Sequence, residues 1–286
     1  MGGTTGAGGT TSAPQTQSFT ITSEKFSVPV GTDVYKCQNF ANPVGQDIAV
    51  LTSHSLMSLH SHHMFVFHGD GSSGLTTNSN TAMSDCPQGG NEFSDFIHSA
   101  QTPDQTMSYP SGVGRALGGN EGLRILVHYY NPTDAPIDGQ VSVTFNYVPR
   151  NGVQYLAEEI FLNDATIAVP PGTSTQSRSY VTPFDAKLLG GVSHMHSRGV
   201  GFKATTNTGL TLYQGTQWDE PTSAVYPTGL DIPGNSTITW ACTYNNDTGQ
   251  TLTFGEHAAT NEMCIFSGVF YTTDMAHQGW SMNSLL

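Results

Sequence analysis

Apolar residues in this chain recur in short segments, where they alternate with small or polar residues. This period-two pattern is typical of half-buried β-strands, and the turn residues Gly, Pro, Asn and Asp separate one segment from the next. The segments cover residues 19–21, 48–51, 64–67, 123–130, 141–147, 160–162, 199–204, 237–244, 251–254 and 265–271. The pattern predicts an all-β protein without long amphipathic helices.

The predicted strands form two series that meet at a run of turn residues, 148–152. A chain of 286 residues exceeds the usual size of one domain, and it can hold two cores of about 130 residues each. We therefore predict two tandem antiparallel β-sandwich (jelly-roll) domains, 18–149 and 150–286, with an interdomain cleft. Residues 69–122 carry the weakest strand signal.

Residues 1–17 are uncharged and rich in Gly and Thr. Such a segment buries too little apolar area to offset the entropy lost on ordering, so we predict a flexible tether. Tethers of this kind often follow a removed secretion signal or a lipoprotein cleavage site, and the latter would make the precursor lipid-anchored. A cloning remnant is the alternative.

Acidic residues outnumber basic ones, with 22 Asp and Glu against 9 Lys and Arg, for a formal net charge of −13. A charge of this sign repels phosphate backbones and anionic lipid, so we do not expect nucleic acid as a partner. The sequence has no run of about 18 apolar residues, and it therefore predicts no membrane span.

The 4 cysteines fall as one pair in each half, without the Cys-x-x-Cys spacing of many zinc sites. This distribution favours two disulfides, and hence an exported protein that is extracellular, periplasmic or held at the cell surface. Four buried thiols in a cytosolic protein are the alternative.

Histidines occur in pairs whose spacing suits metal chelation. On a strand, His194 and His196 would leave the same face, because side chains alternate with period two. The adjacent His62 and His63 would leave opposite faces, so both reach one metal only through a bulge or a distorted strand end. His60 and His62 form the cleaner same-face pair, and spacing alone does not decide between the two pairs.

His128 lies within an apolar strand, where a lone histidine is more often a core residue. It would complete a three-imidazole site if its strand lay beside the one that carries His62. Met263 adds a thioether, a soft neutral ligand that favours Cu(I) and contributes little to zinc, calcium or magnesium sites. The set predicts a copper protein with redox chemistry, whereas zinc-dependent hydrolysis would leave Met263 without a role.

Short motifs along the chain resemble those of the copper type II, ascorbate-dependent monooxygenases, the family of peptidylglycine α-hydroxylating monooxygenase and dopamine β-monooxygenase. The motifs occur in the family's order and span most of residues 30–272. They are His62-His63-Met64, Pro110-Ser111-Gly112-Val113-Gly114, Val127-His128-Tyr129, the His194-x-His196 pair, Tyr226-Pro227 and Glu262-Met263-Cys264. Each motif is weakly specific by itself, and the combination is strong.

The resemblance implies two copper ions and an external reductant such as ascorbate. It also implies that dioxygen and a small-molecule substrate meet at the second copper, where a substrate C–H is hydroxylated. The implied ligands are His62, His63 and His128 for the electron-transfer copper of the first domain, and His194, His196 and Met263 for the oxygen and substrate copper of the second. The resemblance further implies the disulfides Cys37–Cys86 and Cys242–Cys264.

The chain departs from the family where peptide-hydroxylating members bind their substrate. Val192 stands in place of an arginine that holds the substrate carboxylate, Ile265 and Ser267 stand at positions that are polar there, and Leu126 replaces a glutamine near the first site. A carboxylate would lack its guanidinium partner. A glycine-extended peptide is therefore not the expected substrate.

An acidic dipeptide, Asp219-Glu220, follows Trp218 and could attract a cationic amine, although a solvated acidic turn is the favoured interpretation. The main alternative function is an exported copper-binding or copper-handling protein without hydroxylase activity. A recognition or adhesion module, which would not depend on metal, is a third possibility.

Overall fold

The structure, a computed structural model, describes residues 15–70, 72–75, 78, 80–86, 95–255, 257–258 and 260–284. These residues form β-strands and two 3₁₀ turns, Arg150–Gly152 and Met275–His277, and they contain no α-helix. The all-β prediction is confirmed. Among the described residues, no helix is long and apolar enough to cross a membrane.

The strands up to residue 149 are β1 (Gln17–Thr22), β2 (Phe26–Val28), β3 (Asp33–Phe40), β4 (Ile48–Met57), β5 (Ser61–Gly69), β6 (Ser84–Asp85), β7 (Phe96–Ala100), β8 (Asp104–Ser108), β9 (Val113–Leu117), β10 (Gly122–Tyr130), β11 (Ile137–Gly139) and β12 (Val141–Pro149). Those that follow are β13 (Tyr155–Asn163), β14 (Ala168–Val169), β15 (Gly172–Val181), β16 (Ala186–His194), β17 (Gly199–Thr206), β18 (Thr211–Gly215), β19 (Ala224–Ile232), β20 (Thr237–Asn246), β21 (Leu252–Thr253), β22 (Ile265–Tyr271) and β23 (Met282–Asn283).

Each predicted segment coincides with or overlaps a strand, and the structure adds strands that the pattern did not indicate. β15 is almost entirely polar, because it lies at the edge of a sheet and is held by its backbone pairing with β20. β6 to β9 lie within the weak region, 69–122. Strand β1 begins at Gln17, the last residue of the predicted tether, because Gln17 pairs with Tyr147. Residues 1–14 of that tether lie outside the described residues.

One large sheet crosses the whole molecule in the order β1-β12-β4-β9-β13-β22-β16-β19. Its two halves meet where β9 pairs with β13 in parallel, and the 3₁₀ turn Arg150–Gly152 connects β12 to β13. A five-stranded sheet, β6-β3-β10-β5-β7, accompanies the first half, and a four-stranded sheet, β15-β20-β17-β18, accompanies the second.

Two large hydrophobic cores lie on either side of residue 150. The first packs the large sheet, through Phe145, against Ile125 of the five-stranded sheet. The second packs the large sheet, through Phe266, against Trp240 of the four-stranded sheet. Each half is thus a two-layered β structure, while the large sheet continues across the predicted boundary. The division into two domains stays a prediction.

Both disulfides implied by the resemblance are present, and the described residues include no free cysteine. Cys37–Cys86 ties β3 to the segment after β6, and Cys242–Cys264 ties β20 to the segment before β22. On the chain-entropy account, each bond stabilises the fold by roughly 3 to 4 kcal/mol. The second bond also fixes the chain next to Met263.

Candidate metal centre

The first three histidines of the sequence prediction lie together on β5 and β10. His63 is directly opposite His128, but Ser61 is opposite Tyr129, so His62 is an extra residue in a β-bulge. A bulge re-aims a side chain that regular alternation would send to the other face. The ring centroids of His62 and His63 each lie 4.9 Å from that of His128. Ligand nitrogens of all three lie within 4.8 Å of one another.

In this cluster one nitrogen of His128 is held by a hydrogen bond, and other ring nitrogens are left without a partner. His128 Nε2 donates a hydrogen bond to the Asp33 carboxylate, and the ring of Tyr35 stacks on the His128 imidazole with centroids 4.0 Å apart. The Nδ1 atoms of His63 and His128 are buried without a hydrogen-bond partner. Buried polar atoms of this kind are rare unless an ion or water satisfies them, so these nitrogens fit a metal ion.

Burial favours the neutral form of two of the clustered imidazoles, His62 and His63. Desolvation, together with the neighbouring histidines, lowers the pKa of His62 to about 4 and lowers the pKa of His63 well below its ordinary value. Both rings are therefore neutral at neutral pH, and each has one unprotonated nitrogen. A neutral imidazole is the form that binds a metal.

The second set begins where β16 ends. His194 is the last residue of the strand, Met195 turns into the second core with no exposed surface, and His196 returns to the side of His194. The two imidazole centroids are 5.3 Å apart. Burial lowers the pKa of both histidines, most strongly for His194.

The backbone around Met263 orients this second set. His196 Nδ1 donates to the carbonyl oxygen of Asn261, 3.1 Å away, which leaves Nε2 as the available ligand atom. This is the usual way in which a neighbouring acceptor fixes the tautomer of a ligating histidine. The Tyr244 hydroxyl donates to the Met263 carbonyl at 2.7 Å. Hydrogen bonds therefore hold two backbone carbonyls here, that of Met263 itself and that of Asn261, two residues before it.

Glu262 joins the two segments. Its Oε2 accepts the backbone N–H of His196 and its Oε1 accepts that of Arg198, each at 2.9 Å. The residue has no exposed surface, and burial raises the pKa of its carboxyl while the backbone donors oppose that rise. The side chain thus couples the end of β16 to the residue that precedes Met263.

The two ligand sets face one cavity of about 470 Å³. Its residues are Tyr35, His62, His63, Phe65, Phe67, Cys86, Ser99, Gln101, Leu126, His128, Phe161, Val192, His194, His196, Phe254, Gly255, His257, Ala258, Asn261, Met263, Ile265 and Ser267. The ring centroids of His63 and His194 are 5.6 Å apart. The sequence predicted a cleft between the two domains and left the distance between the two ligand sets open; the structure places the sets side by side.

Strand alternation explains why these side chains meet. On β5 and β10, Met64 and Val127 enter the first core, so the alternate pairs His63–His128 and Phe65–Leu126 lie on the outer face of the five-stranded sheet. That face lies against the second half of the large sheet. There the register places His194 opposite Ile265, and Val192 opposite Ser267.

Met263 lies at the packing boundary between these faces. It is 4% exposed and belongs to a small apolar cluster with Phe67 and Phe96 from one side and Phe161 and Ile265 from the other. Its side chain lines the same cavity as the five histidines. All six predicted ligands are thus brought to one cavity.

The remaining histidines differ in their surroundings. His60 is exposed in a left-handed turn (φ 69°) and lies outside the three-histidine cluster, so it does not form the alternative pair with His62. His98 is buried beside the Ser53 hydroxyl, and desolvation lowers its pKa to about 3. His257 lines the cavity. The others, His54, His68 and His277, hydrogen-bond to Asp104, Glu121 and Asp274.

Sequence reasoning missed the residues that support the ligands. Asp33 and Asn261 are far from the histidines they contact, so no local spacing marks them. Glu262 belongs to the Glu262-Met263-Cys264 motif, but its hydrogen bonds to the backbone N–H groups of His196 and Arg198 depend on tertiary packing.

Comparisons with known proteins give distant similarity only. No family model and no curated protein matches the chain. Among solved structures, the chain is similar to the major capsid protein P2 from bacteriophage PM2, with 6% identity and a TM-score of 0.34 over 91% of this chain and 99% of that one. It is also similar to a triple jelly roll structure from an archaeal virus (12% identity, TM-score 0.23, 87% and 59% coverage). A third similarity is to infectious bursal disease virus Gx strain (12% identity, TM-score 0.20, 92% and 74% coverage). Scores of this size carry no argument about what the chain does.

Proposed function

We propose that this protein is a copper-dependent monooxygenase that hydroxylates a substrate C–H, using dioxygen and an external reductant such as ascorbate. The observation that carries the proposal is the convergence of five imidazoles and one buried thioether on a single apolar cavity. Neutral imidazole accommodates both copper oxidation states, while thioether sulfur favours Cu(I). Together they form a donor set that suits copper redox chemistry.

The ligand sets keep the roles that the resemblance implies. His62, His63 and His128 would hold the electron-transfer copper, and the Nδ1 atoms of the last two are buried and free to coordinate. His194 and His196, with Met263, would hold the copper next to the substrate. Bound copper would supply one-electron transfer and the activation of dioxygen.

The protein's own contribution is to orient ligands and exclude water. The Asp33 carboxylate and the Asn261 carbonyl each accept a ring N–H, which fixes which nitrogen of His128 and His196 faces the cavity. In the overall reaction, one oxygen atom of dioxygen converts a substrate C–H to C–OH, and the second oxygen atom leaves as water. The reductant provides two electrons, and two protons are taken up. Apolar walls limit the access of water, which would otherwise compete with the substrate.

Export is part of the proposal. Two disulfides are compatible with an oxidising compartment, such as the extracellular space, a periplasm or the cell surface. Dioxygen and a diffusible reductant would be available to the enzyme there.

The second candidate is an exported copper-binding protein without hydroxylase activity. The closeness of the two histidine sets, with 5.6 Å between the rings of His63 and His194, would also suit a protein that stores copper in one shared cluster. Such a protein would bind Cu(I) without consuming oxygen in response to a substrate.

Metal analysis and oxygen uptake together test the proposal. The wild-type chain should bind two copper ions, and His194→Ala should reduce this to about one, because only the second set loses a ligand. His54→Ala, which changes a partly exposed histidine outside the cavity, is the matched control and should retain two. Oxygen uptake with ascorbate should rise on adding substrate. Copper binding without any substrate-dependent uptake, across a panel of candidate compounds, would favour the second candidate.

A further inference from the structure

The walls of the cavity, as far as the structure describes them, contain no acidic or basic side chain apart from histidine. Apolar side chains dominate them, and they come from both sheets: Phe65, Phe67, Leu126, Phe161, Val192 and Ile265. Among the lining residues that the structure describes there is no Lys, Arg, Asp or Glu.

We propose that this cavity binds an uncharged, mainly apolar molecule of aromatic size, and that this molecule is the substrate. The ligand's chemistry is inferred from the cavity, and its role as substrate rests on the proposed function. A cavity of about 470 Å³ lies in the range that encloses small organic ligands. Moving an unpaired carboxylate or ammonium into such a site is strongly unfavourable.

A second cavity extends the same uncharged surface. It has a volume of about 120 Å³ and adjoins the first, since Ser99, Val192 and Ser267 line both. Its described lining residues also include no charged side chain. The two serines lie where the cavities meet, and their hydroxyls can orient a single polar group, such as a hydroxyl or an amide, on an otherwise apolar ligand.

Among the residues that the structure describes, no carboxylate lines the cavity to balance a cationic ligand. Asp219 and Glu220 are exposed and do not line the cavity, in keeping with a solvated acidic turn. The Asp33 carboxylate already accepts the ring N–H of His128 and does not line the cavity either. An ammonium group would therefore lose its water without a described carboxylate inside the cavity to pair with it.

Three probes with the same carbon skeleton test the inference. They are the neutral alcohol 2-(1-naphthyl)ethanol, the carboxylate of 1-naphthylacetic acid (1-naphthylacetate) and the cation 2-(1-naphthyl)ethylammonium. Binding to the full chain is measured anaerobically by fluorescence and calorimetry, with copper loaded and after chelation, so that turnover does not interfere. In the copper-free protein we expect the neutral alcohol to bind at least about tenfold more tightly than either charged probe. Equal or tighter binding of a charged probe to the copper-free protein, or no binding of the alcohol, would overturn the inference.

A charge placed on the wall should reverse the preference. Val192→Arg is expected to raise the affinity for 1-naphthylacetate at least about tenfold and to weaken binding of the alcohol. Val181→Arg, on an exposed position of the edge strand β15, is the matched control and should change neither. The wild-type series decides the inference even if Val192→Arg does not fold.

Copper titration of the same samples separates the two proposals. A charged-probe preference in the copper-free protein, together with the binding of two copper ions on titration, would overturn the substrate class and leave the monooxygenase proposal standing. A neutral-probe preference without copper binding would overturn the monooxygenase proposal and leave the ligand class standing.

Discussion

Replacing Glu262 with glutamine should loosen the second ligand set, because this one side chain joins both segments that carry it. In the folded protein, Oε2 of the carboxylate accepts the backbone N–H of His196, and Oε1 accepts that of Arg198. Glutamine keeps one acceptor oxygen and replaces the other with an NH₂ group. One of the two backbone donors would then face another donor.

The structure sets the size of the effect. Glu262 has no exposed surface, so water cannot replace the lost acceptor. A buried donor left without a partner costs about 1 to 3 kcal/mol, and hydrogen bonds to a charged acceptor are at the upper end. We expect the free energy of unfolding to fall by about 1 to 3 kcal/mol. Because groups that orient metal ligands typically contribute about 10- to 100-fold in affinity, copper at the second set should bind at least about tenfold more weakly.

Urea unfolding of the copper-free protein measures the first quantity, and Cu(I) titration against a competing chelator measures the second. Glu220→Gln, at an exposed glutamate, is the matched control and should leave both unchanged. Copper at the first set should also bind as in the wild type, since His62, His63 and His128 do not contact Glu262. A Glu262→Gln protein with wild-type stability and wild-type affinity at both sets would refute this role.

Three further outcomes follow from the geometry. Asp33→Ala should weaken copper binding at the first set by about 10- to 100-fold, because the His128 ring loses its acceptor, and Asp33→Asn should restore part of the loss in the same titration. Met263→Ile should abolish substrate-dependent oxygen uptake in an oxygen-electrode assay while the protein keeps copper at the first set; undiminished uptake would contradict the assignment of the second set. Burial raises the pKa of Glu159 from 4.5 to about 8, so the folded state keeps a proton that the unfolded state releases. The free energy of unfolding should therefore fall as pH rises from about 4.5 to about 8, and Glu159→Gln should flatten that dependence in urea melts at pH 5 and pH 9.

The sequence predicted the β class because period-two alternation is a local property. It missed strands whose faces do not differ in polarity. β15 exposes polar residues on both faces, and β16 contains consecutive glycines and is largely buried, so neither alternates clearly. The pairing of β9 with β13, which makes one sheet cross the molecule, joins segments about 40 residues apart and has no local signal.

The candidate site was predictable as a list of ligands but not as an arrangement. Adjacent His62 and His63 required a bulge, and the register shift opposite His128 supplies it. Spacing alone allowed either His60 or His63 to act with His62 as the ligand pair. The structure excludes His60, because a left-handed turn holds it outside the three-histidine cluster. The nearness of His63 to His194 arises from the packing of one sheet face on another.

The most direct test of the central claim is X-ray absorption at the copper edge of the Cu(I)-loaded protein. Wild type should give imidazole scattering together with one sulfur shell. Met263→Ile should lose the sulfur shell, whereas Met195→Leu, which changes the core methionine between His194 and His196, should keep it. A sulfur shell that survives Met263→Ile, or a wild-type spectrum without sulfur, would contradict the assignment of Met263 as a copper ligand.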